Sequence, residues 1–273
     1  MLYRMIPSTQ EKLPVIGLGT WQTFDVPNAL QHTSLMHVLQ QYQPLKNAVI
    51  DSSPMYGKSE ESIGELTAML DAKDDFFYAT KVWTTGKKEG IKQMEASVKK
   101  MKRKVLDLIQ IHNLVDWKTH LETLRQWKEE GRVRYIGITH YTDDMHDELV
   151  KIIEKAKLDF VQFNYSIFNR NAEKKLLPAA MDCGVATLIN RPFGEGKMFA
   201  KVKGKPLPDW AFKAGIDNWS SFFLKFIIAH PAVTCVIPAT ANPAHAAQNI
   251  KAGEGVIPDA ELRKQMIDLV DDL

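Results

Sequence analysis

Eight short apolar runs rich in β-branched residues punctuate the chain: PVIGLGTW, NAVIDSS, FFYATKVW, VLDLIQIH, VRYIGIT, DFVQFNY, VATLIN and TCVIPA. Each is nearly continuous in its apolar character, as expected of strands buried on both faces. Between them the spacing of apolar positions changes to that of amphipathic helices. The clearest covers residues 117–130, where Leu121, Leu124 and Trp127 recur at threefold spacing, Asp116 is placed to cap the start and Gly131 to close the end. Strict alternation of strand and helix implies parallel pairing through right-handed crossovers. Eight such units predict an α/β fold of the (β/α)8 TIM-barrel type.

Two features depart from the repeat. LYRMI and KLPV, on either side of Pro7 to Gln10, predict a short N-terminal β-hairpin at the barrel bottom. The step from Asn190 to Pro238 is nearly twice its predecessors and carries an insert, EGKMFAKVKGKPLPDWAFKAG, of the kind that covers ligands when it lies on the active-site face. Trp210, Phe212 and Trp219 in or after that insert read either as a lid or as a satellite core. Nothing resembles a linker, so residues 1–273 are expected to form a single domain.

Polar, titratable residues stand where three of the strands should end. Asp51, Lys81 and His112 lie 30 and 31 residues apart, about one βα unit, so each is placed at the C-terminal mouth of successive strands, with Tyr56 just beyond the first. Taken singly, each is more often a structural group than a functional one. Jointly, four such residues at the ends of three adjacent strands point to a catalytic or cofactor-proximal site.

Composition narrows the partners. Lys and Arg (35) nearly balance Asp and Glu (33), and the net charge of +2 gives no field suited to nucleic acid or an anionic membrane. The N-terminus has no apolar signal-like core and no segment approaches a membrane span, so a soluble, cytoplasmic protein is expected. Cys183 and Cys235 sit in apolar contexts and are expected as buried free thiols. His32, His37, His120, His146 and His230 show no ligand spacing, with His146 and His230 expected at surface helix ends; no metal is assigned. No sequence signal bears on oligomeric state.

The chain resembles the aldo-keto reductases, NAD(P)H-dependent enzymes on a TIM barrel. The resemblance rests on GLGTW at Gly17 to Trp21, the D-x-x-x-x-Y-G motif from Asp51 to Gly57, Lys81, His112, Gln162, and IPATANPAHAAQN from Ile237 to Asn249. It implies a small-molecule aldehyde or ketone substrate and a catalytic tetrad of Asp51, Tyr56, Lys81 and His112. In that tetrad Tyr56 is the general acid, whose phenol, with a pKa near 10 when free, is expected to be brought down by Lys81. Lys81 keeps its charge in an apolar barrel mouth only if paired, and Asp51 supplies the counter-charge. A neutral His112 donates to and orients the substrate oxygen.

The resemblance also places a dinucleotide, NADPH by family habit with NADH possible, in an extended pose over the barrel mouth. Gly19, Thr20 and Trp21 approach it from the first strand, Thr139 and His140 stand where relatives often have Ser-Asn, and Gln162 fits the nicotinamide carboxamide. After the seventh strand, Asn190, Arg191, Pro192, Phe193 and Gly194 replace the usual stacking Tyr and its neighbours, so that Arg191 is left to reach a phosphate or to stack. In the adenosine loop, Pro238, Ala239, Thr240, His245, Gln248 and Asn249 are the candidate contacts, with Ala239 and His245 where relatives often carry Lys and Arg. Asn242 and Pro243 start a helix whose free N–H groups suit an anion. Trp21, Met55, Trp83 and Asn113 are expected to line a mostly apolar substrate pocket, and the short C-terminus implies an open mouth with loose selectivity. Two other readings stay open: a cofactor-binding regulatory barrel with negligible turnover, and an unrelated TIM-barrel isomerase.

Overall fold

The eight apolar runs form one parallel sheet, and the N-terminal pair forms a separate hairpin. The computed structural model describes residues 1–29 and 32–273. The hairpin strands are β1 (Tyr3–Met5) and β2 (Lys12–Pro14), antiparallel with Arg4 opposite Leu13. The barrel strands follow in chain order around the sheet: β3 (Leu18–Gly19), β4 (Ala48–Asp51), β5 (Phe76–Val82), β6 (Leu106–His112), β7 (Val133–Thr139), β8 (Phe160–Asn164), β9 (Ala186–Asn190) and β10 (Cys235–Val236). Isolated parallel bridges from Ile16 to Val236 and from Gly19 to Ala239 close the barrel between its first and last strands.

Helices α1 (Thr33–Tyr42), α2 (Ser59–Met69), α3 (Lys87–Lys100), α4 (Trp117–Glu129), α5 (His146–Ala156) and α6 (Leu176–Asp182) connect the first seven strands. The long step holds α7 (Lys197–Lys201), α8 (Asp209–Lys213) and α9 (Trp219–Ile228), and α10 (Pro243–Lys251) and α11 (Ala260–Asp271) follow β10. Among the described residues no helix is long and apolar enough to cross a membrane.

The period-two alternation of the strands divides the apolar side chains into two layers. Ile50, Tyr78, Ile109, Ile136, Val161 and Ile189 face outward and join the helices in one cluster. Val49, Phe77, Ala79, Leu108, Tyr135, Phe160 and Leu188 face inward and fill the barrel. Ile6 and Leu13 of the hairpin belong to this inner cluster, so the hairpin plugs the bottom as expected. Phe77, Tyr135 and Phe160 pack with ring centroids 5.6–5.9 Å apart, each such buried side chain contributing roughly 2–3 kcal/mol.

Several local expectations are corrected. Asp116 precedes α4 as predicted but does not cap it: at φ 45° its carboxylate turns away and accepts from the Gly86 N–H at 2.7 Å, tying two mouth loops together. Gly131 does close α4, holding φ 72° while Arg132 N–H donates to Trp127 O at 2.8 Å. Cys183 is exposed and only Cys235 is buried. His146 is not at the surface but 3% exposed, where its Nε2 meets Asn164 Oδ1 at 3.0 Å and Asn171 donates to its Nδ1. Trp210 and Trp219 meet Phe222 tilted and edge-on at 6.0 and 5.1 Å and pack against the main core, neither a satellite core nor part of the cavity wall; Phe212 is exposed.

Gly137 on β7 lies opposite Phe160 on β8, and a Cβ there would stand 2.7 Å from the Phe160 carbonyl oxygen. Gly137→Ala is therefore expected to lower stability by about 1–3 kcal/mol, read as a lower urea midpoint.

Candidate active site

The C-terminal ends of β4, β5 and β6 deliver three of the four sequence-predicted groups to one place. Lys81, fully buried, sets its Nζ 2.7 Å from Asp51 Oδ2 and 2.6 Å from the Ser52 carbonyl oxygen. The other carboxylate oxygen, Asp51 Oδ1, accepts from Gln162 Nε2 at 2.9 Å and Gln110 Nε2 at 3.2 Å. The turn after β4, in which Tyr56 N–H donates to Ser53 O at 2.9 Å, swings the Tyr56 ring over this pair, its centroid 5.0 Å from the Lys81 ammonium. His112 meets the Tyr56 ring edge-on with centroids 5.9 Å apart.

The histidine's tautomer follows from its neighbour. Ser53 Oγ lies 3.0 Å from His112 Nδ1 and accepts from the Met55 N–H at 3.3 Å, and among the described residues Nδ1 is the one acceptor bonded to its buried hydroxyl. The network thus assigns the ring proton to Nε2. Burial, then the nearby Lys81 charge and His140, push the His112 pKa down to about 2, so the imidazole is neutral at working pH.

Two opposed influences act on Lys81. Burial disfavours its charge, and the Asp51 carboxylate and Tyr56 favour it; the balance raises its pKa, so the ammonium persists. Tyr56 departs from expectation. Lys81 does pull the phenol down, but burial, helped by Asp51, outweighs it and the pKa is raised. Lys81 therefore limits the rise rather than making the phenol a stronger acid than free tyrosine, and Tyr56 stays protonated through neutral pH.

Above these groups opens a cavity of about 950 Å³. Trp21, Met55, Trp83 and Asn113, the four predicted substrate residues, all line it, as do Gly19, Thr20, Asp51, Tyr56 and His112. Thr139, Gln162, Asn190, Arg191, Pro192 and Phe193 line it from β7, β8, β9 and the loop that follows, and Ala239, Thr240, His245, Gln248 and Asn249 from the chain after β10, where Ala239 is bridged to Gly19.

Three predicted cofactor residues stand off the wall. His140 lies parallel to Tyr141 at 5.4 Å, and it is Tyr141 that reaches the cavity. Gly194 shapes a turn, its N–H donating to Arg191 O, and Pro238 gives its carbonyl oxygen to the Gly19 N–H at 3.1 Å in the barrel closure. Lys81 lies beneath the floor.

Gln162 is more committed than the sequence suggested. Its Nε2 serves Asp51, while Oε1 accepts from Thr139 Oγ1 at 3.2 Å. Beside it Asn190 Oδ1, and next to the predicted substrate wall Asn113 Oδ1, are buried acceptors without a partner among the described residues. Such orphaned acceptors suit an amide N–H2 group from a ligand. Asn242 Oδ1 caps α10 through Ala244 N–H at 2.9 Å, and Thr240 Oγ1 accepts from Asn242 N–H at 3.1 Å. Tyr141, Glu195, Phe199 and Ser220 also line the cavity without having been foreseen. For Tyr141 the signal was present, one residue beyond Thr139 and His140 at a strand end.

The model of the Aldo/keto reductase family matches residues 15–268. The chain is 25% identical over 218 residues to "Aldo-keto reductase YhdN" of Bacillus subtilis (strain 168), covering 74% of this chain. That match spans 65% of YhdN, slightly under two thirds of its length. It is 24% identical over 258 residues to "Methylglyoxal reductase YeaE" of Escherichia coli (strain K12), covering 92% of this chain and 89% of that protein. An aldo-keto reductase from Klebsiella pneumoniae, solved with NADPH, shares the fold with a TM-score of 0.81 at 23% identity, covering 98% of this chain and 95% of that one.

Because the His112 pKa is depressed in the folded state, the unfolded chain takes up a proton below about 6.5 that the folded chain refuses, and stability is lost as pH falls below that value. Between pH 7 and 5, His112→Gln is expected to lose about 2 kcal/mol less stability than the wild type in urea titrations, and the wild-type His112 ring resonances are expected to stay flat across that range.

Proposed function

Because the chain belongs to the aldo/keto reductase family, we propose that it is an NAD(P)H-dependent oxidoreductase that reduces aldehyde or ketone carbonyls to alcohols at the barrel mouth. The observation that carries the reading is the convergence of a protonated phenol, a charged ammonium and a neutral imidazole on the floor of one cavity.

The dinucleotide, when bound, supplies the hydride. The chain's residues supply the rest. His112 Nε2–H donates to the substrate carbonyl oxygen and orients it. Tyr56 gives its proton to the developing alkoxide, and the Lys81 ammonium offsets the negative charge left on the phenol. Asp51 holds Lys81 charged and in place, and is itself fixed by Gln110 and Gln162. Thr139, Gln162 and Asn190, with the unpartnered Asn190 Oδ1, suit the carboxamide end of the dinucleotide; Thr240, His245, Gln248 and Asn249 suit its adenosine end. NADPH is the expected cofactor and NADH the alternative.

The substrate end is aromatic and apolar, with Trp21, Met55 and Trp83 each about two-fifths exposed into it. It favours a small aldehyde or ketone with a hydrophobic or ring substituent. The protein acts as one domain over residues 1–273, in the cytoplasm, with neither nucleic acid nor membrane as partner.

Tyr56→Phe is expected to lower turnover of an aromatic aldehyde by at least ~10²-fold while leaving NADPH binding, read by fluorescence quenching, within about twofold, a shift of about 0.4 kcal/mol or less. A variant that keeps more than about a tenth of the wild-type rate overturns Tyr56 as the general acid. A wild type that consumes neither NADPH nor NADH overturns the reductase reading.

A further inference from the structure

The loop that leaves β9, from Arg191 to Gly196, carries a charge pair that the proposed reaction does not use. Arg191 and Glu195 both line the cavity, and Arg191 NH2 lies 2.8 Å from Glu195 Oε1 with each side chain about one-third exposed. On its other side the Arg191 guanidinium rests on the face of Tyr141, 4.2 Å from the ring centroid. Four of the six residues hold left-handed backbone: Arg191 at φ 51°, Gly194 at 55°, Glu195 at 59° and Gly196 at 84°. Such φ values are uncommon for residues with a Cβ, so Arg191 and Glu195 each carry local strain in the conformation that brings them together.

The rest of the wall gives this pair its meaning. Among the described cavity-lining residues Arg191 is the one lysine or arginine, and Asp51 is already matched by Lys81. A dinucleotide brings at least two phosphate charges into this space. In barrels of this type the loops after the seventh and eighth strands are frequent phosphate sites. Arg191 follows the seventh strand, between Gln162 on β8 and Ala239 after β10. Its single neutralised cation is the group a phosphate there would seek.

We propose that Glu195 is a built-in competitor for the cofactor: its carboxylate occupies Arg191 until a phosphate of the dinucleotide displaces it. Tyr141 makes this an exchange of anions, because the guanidinium stays on the ring while Glu195 swings away. The flanking glycines, Gly194 and Gly196, give Glu195 the backbone freedom to leave. Glu195 thus lowers the affinity for the dinucleotide and speeds its release. This inference rests on the dinucleotide-binding reading above.

The test is a fluorescence titration of the full chain with NADH and with NADPH, for the wild type, Glu195→Gln, Arg191→Met and the double variant. Glu195→Asn is the second probe, because Asn tolerates the left-handed backbone at this position. Removing Glu195 is expected to lower Kd by about threefold or more, the scale of a partly exposed ion pair, only when Arg191 is present. Arg191→Met is expected to raise Kd, and adding Glu195→Gln to it to change little. If the wild type binds and neither Glu195 variant binds tighter, or if the gain persists without Arg191, the competitor role is overturned while the reductase reading stands. If none of the proteins binds either dinucleotide, both fail.

Discussion

The buried pair of Lys81 and Asp51 sets the conditions for everything around it. An ammonium with no solvent exposure is tolerated in a barrel only if its desolvation is offset by a fully hydrogen-bonded partner. Asp51 meets that demand with one oxygen on Lys81 and the other on Gln110 and Gln162, so three strands besides its own are tied to one carboxylate. The backbone must comply: Ser52 turns its carbonyl oxygen to Lys81, and the turn that follows places Tyr56 over the ammonium. A hydrophobic pair of similar volume would serve stability as well. That the chain holds a charge here instead accords with the role in proton transfer proposed for it above.

Much of this was legible in the sequence because it rests on short-range pattern. Continuous apolar runs placed all eight strands, and the one-unit spacing of Asp51, Lys81 and His112 placed them at neighbouring strand ends. The same alternation also encodes Gln110, two residues before His112 and so on the same inward face. What escaped depends on neighbours distant in the chain. Asp116 has the residue type of a cap, yet Gly86 draws its carboxylate away. The direction of the Tyr56 shift comes from opposed influences of burial, Lys81 and Asp51, whose balance exists only in three dimensions. Glu195 four residues after Arg191 is a spacing read as a pair only on a helix, and here it is made by left-handed turns instead.

The buried histidines show the same division. His112 and His146 are each hydrogen-bonded to partners from another segment, Ser53 for one and Asn164 with Asn171 for the other. Only the first faces the cavity. Residue type alone does not separate a catalytic from a structural imidazole; the direction of the free N–H does.

The barrel is unevenly knit. β5, β6 and β7 run seven residues each, whereas β3 and β10, which meet to close the cylinder, have two residues each and are joined by single bridges. Arg4 braces this seam from below, donating to the carbonyl oxygens of Ile228, His230 and Val233. From above, the last bridge joins Gly19 to Ala239, and both residues line the cavity. Local opening concentrates where backbone pairing is thinnest, so slow amide exchange belongs to the side of the barrel that carries the chemistry and fast exchange to the closure. A ligand seated against both residues would span the thinnest pairing in the cylinder, a stave laid across its seam.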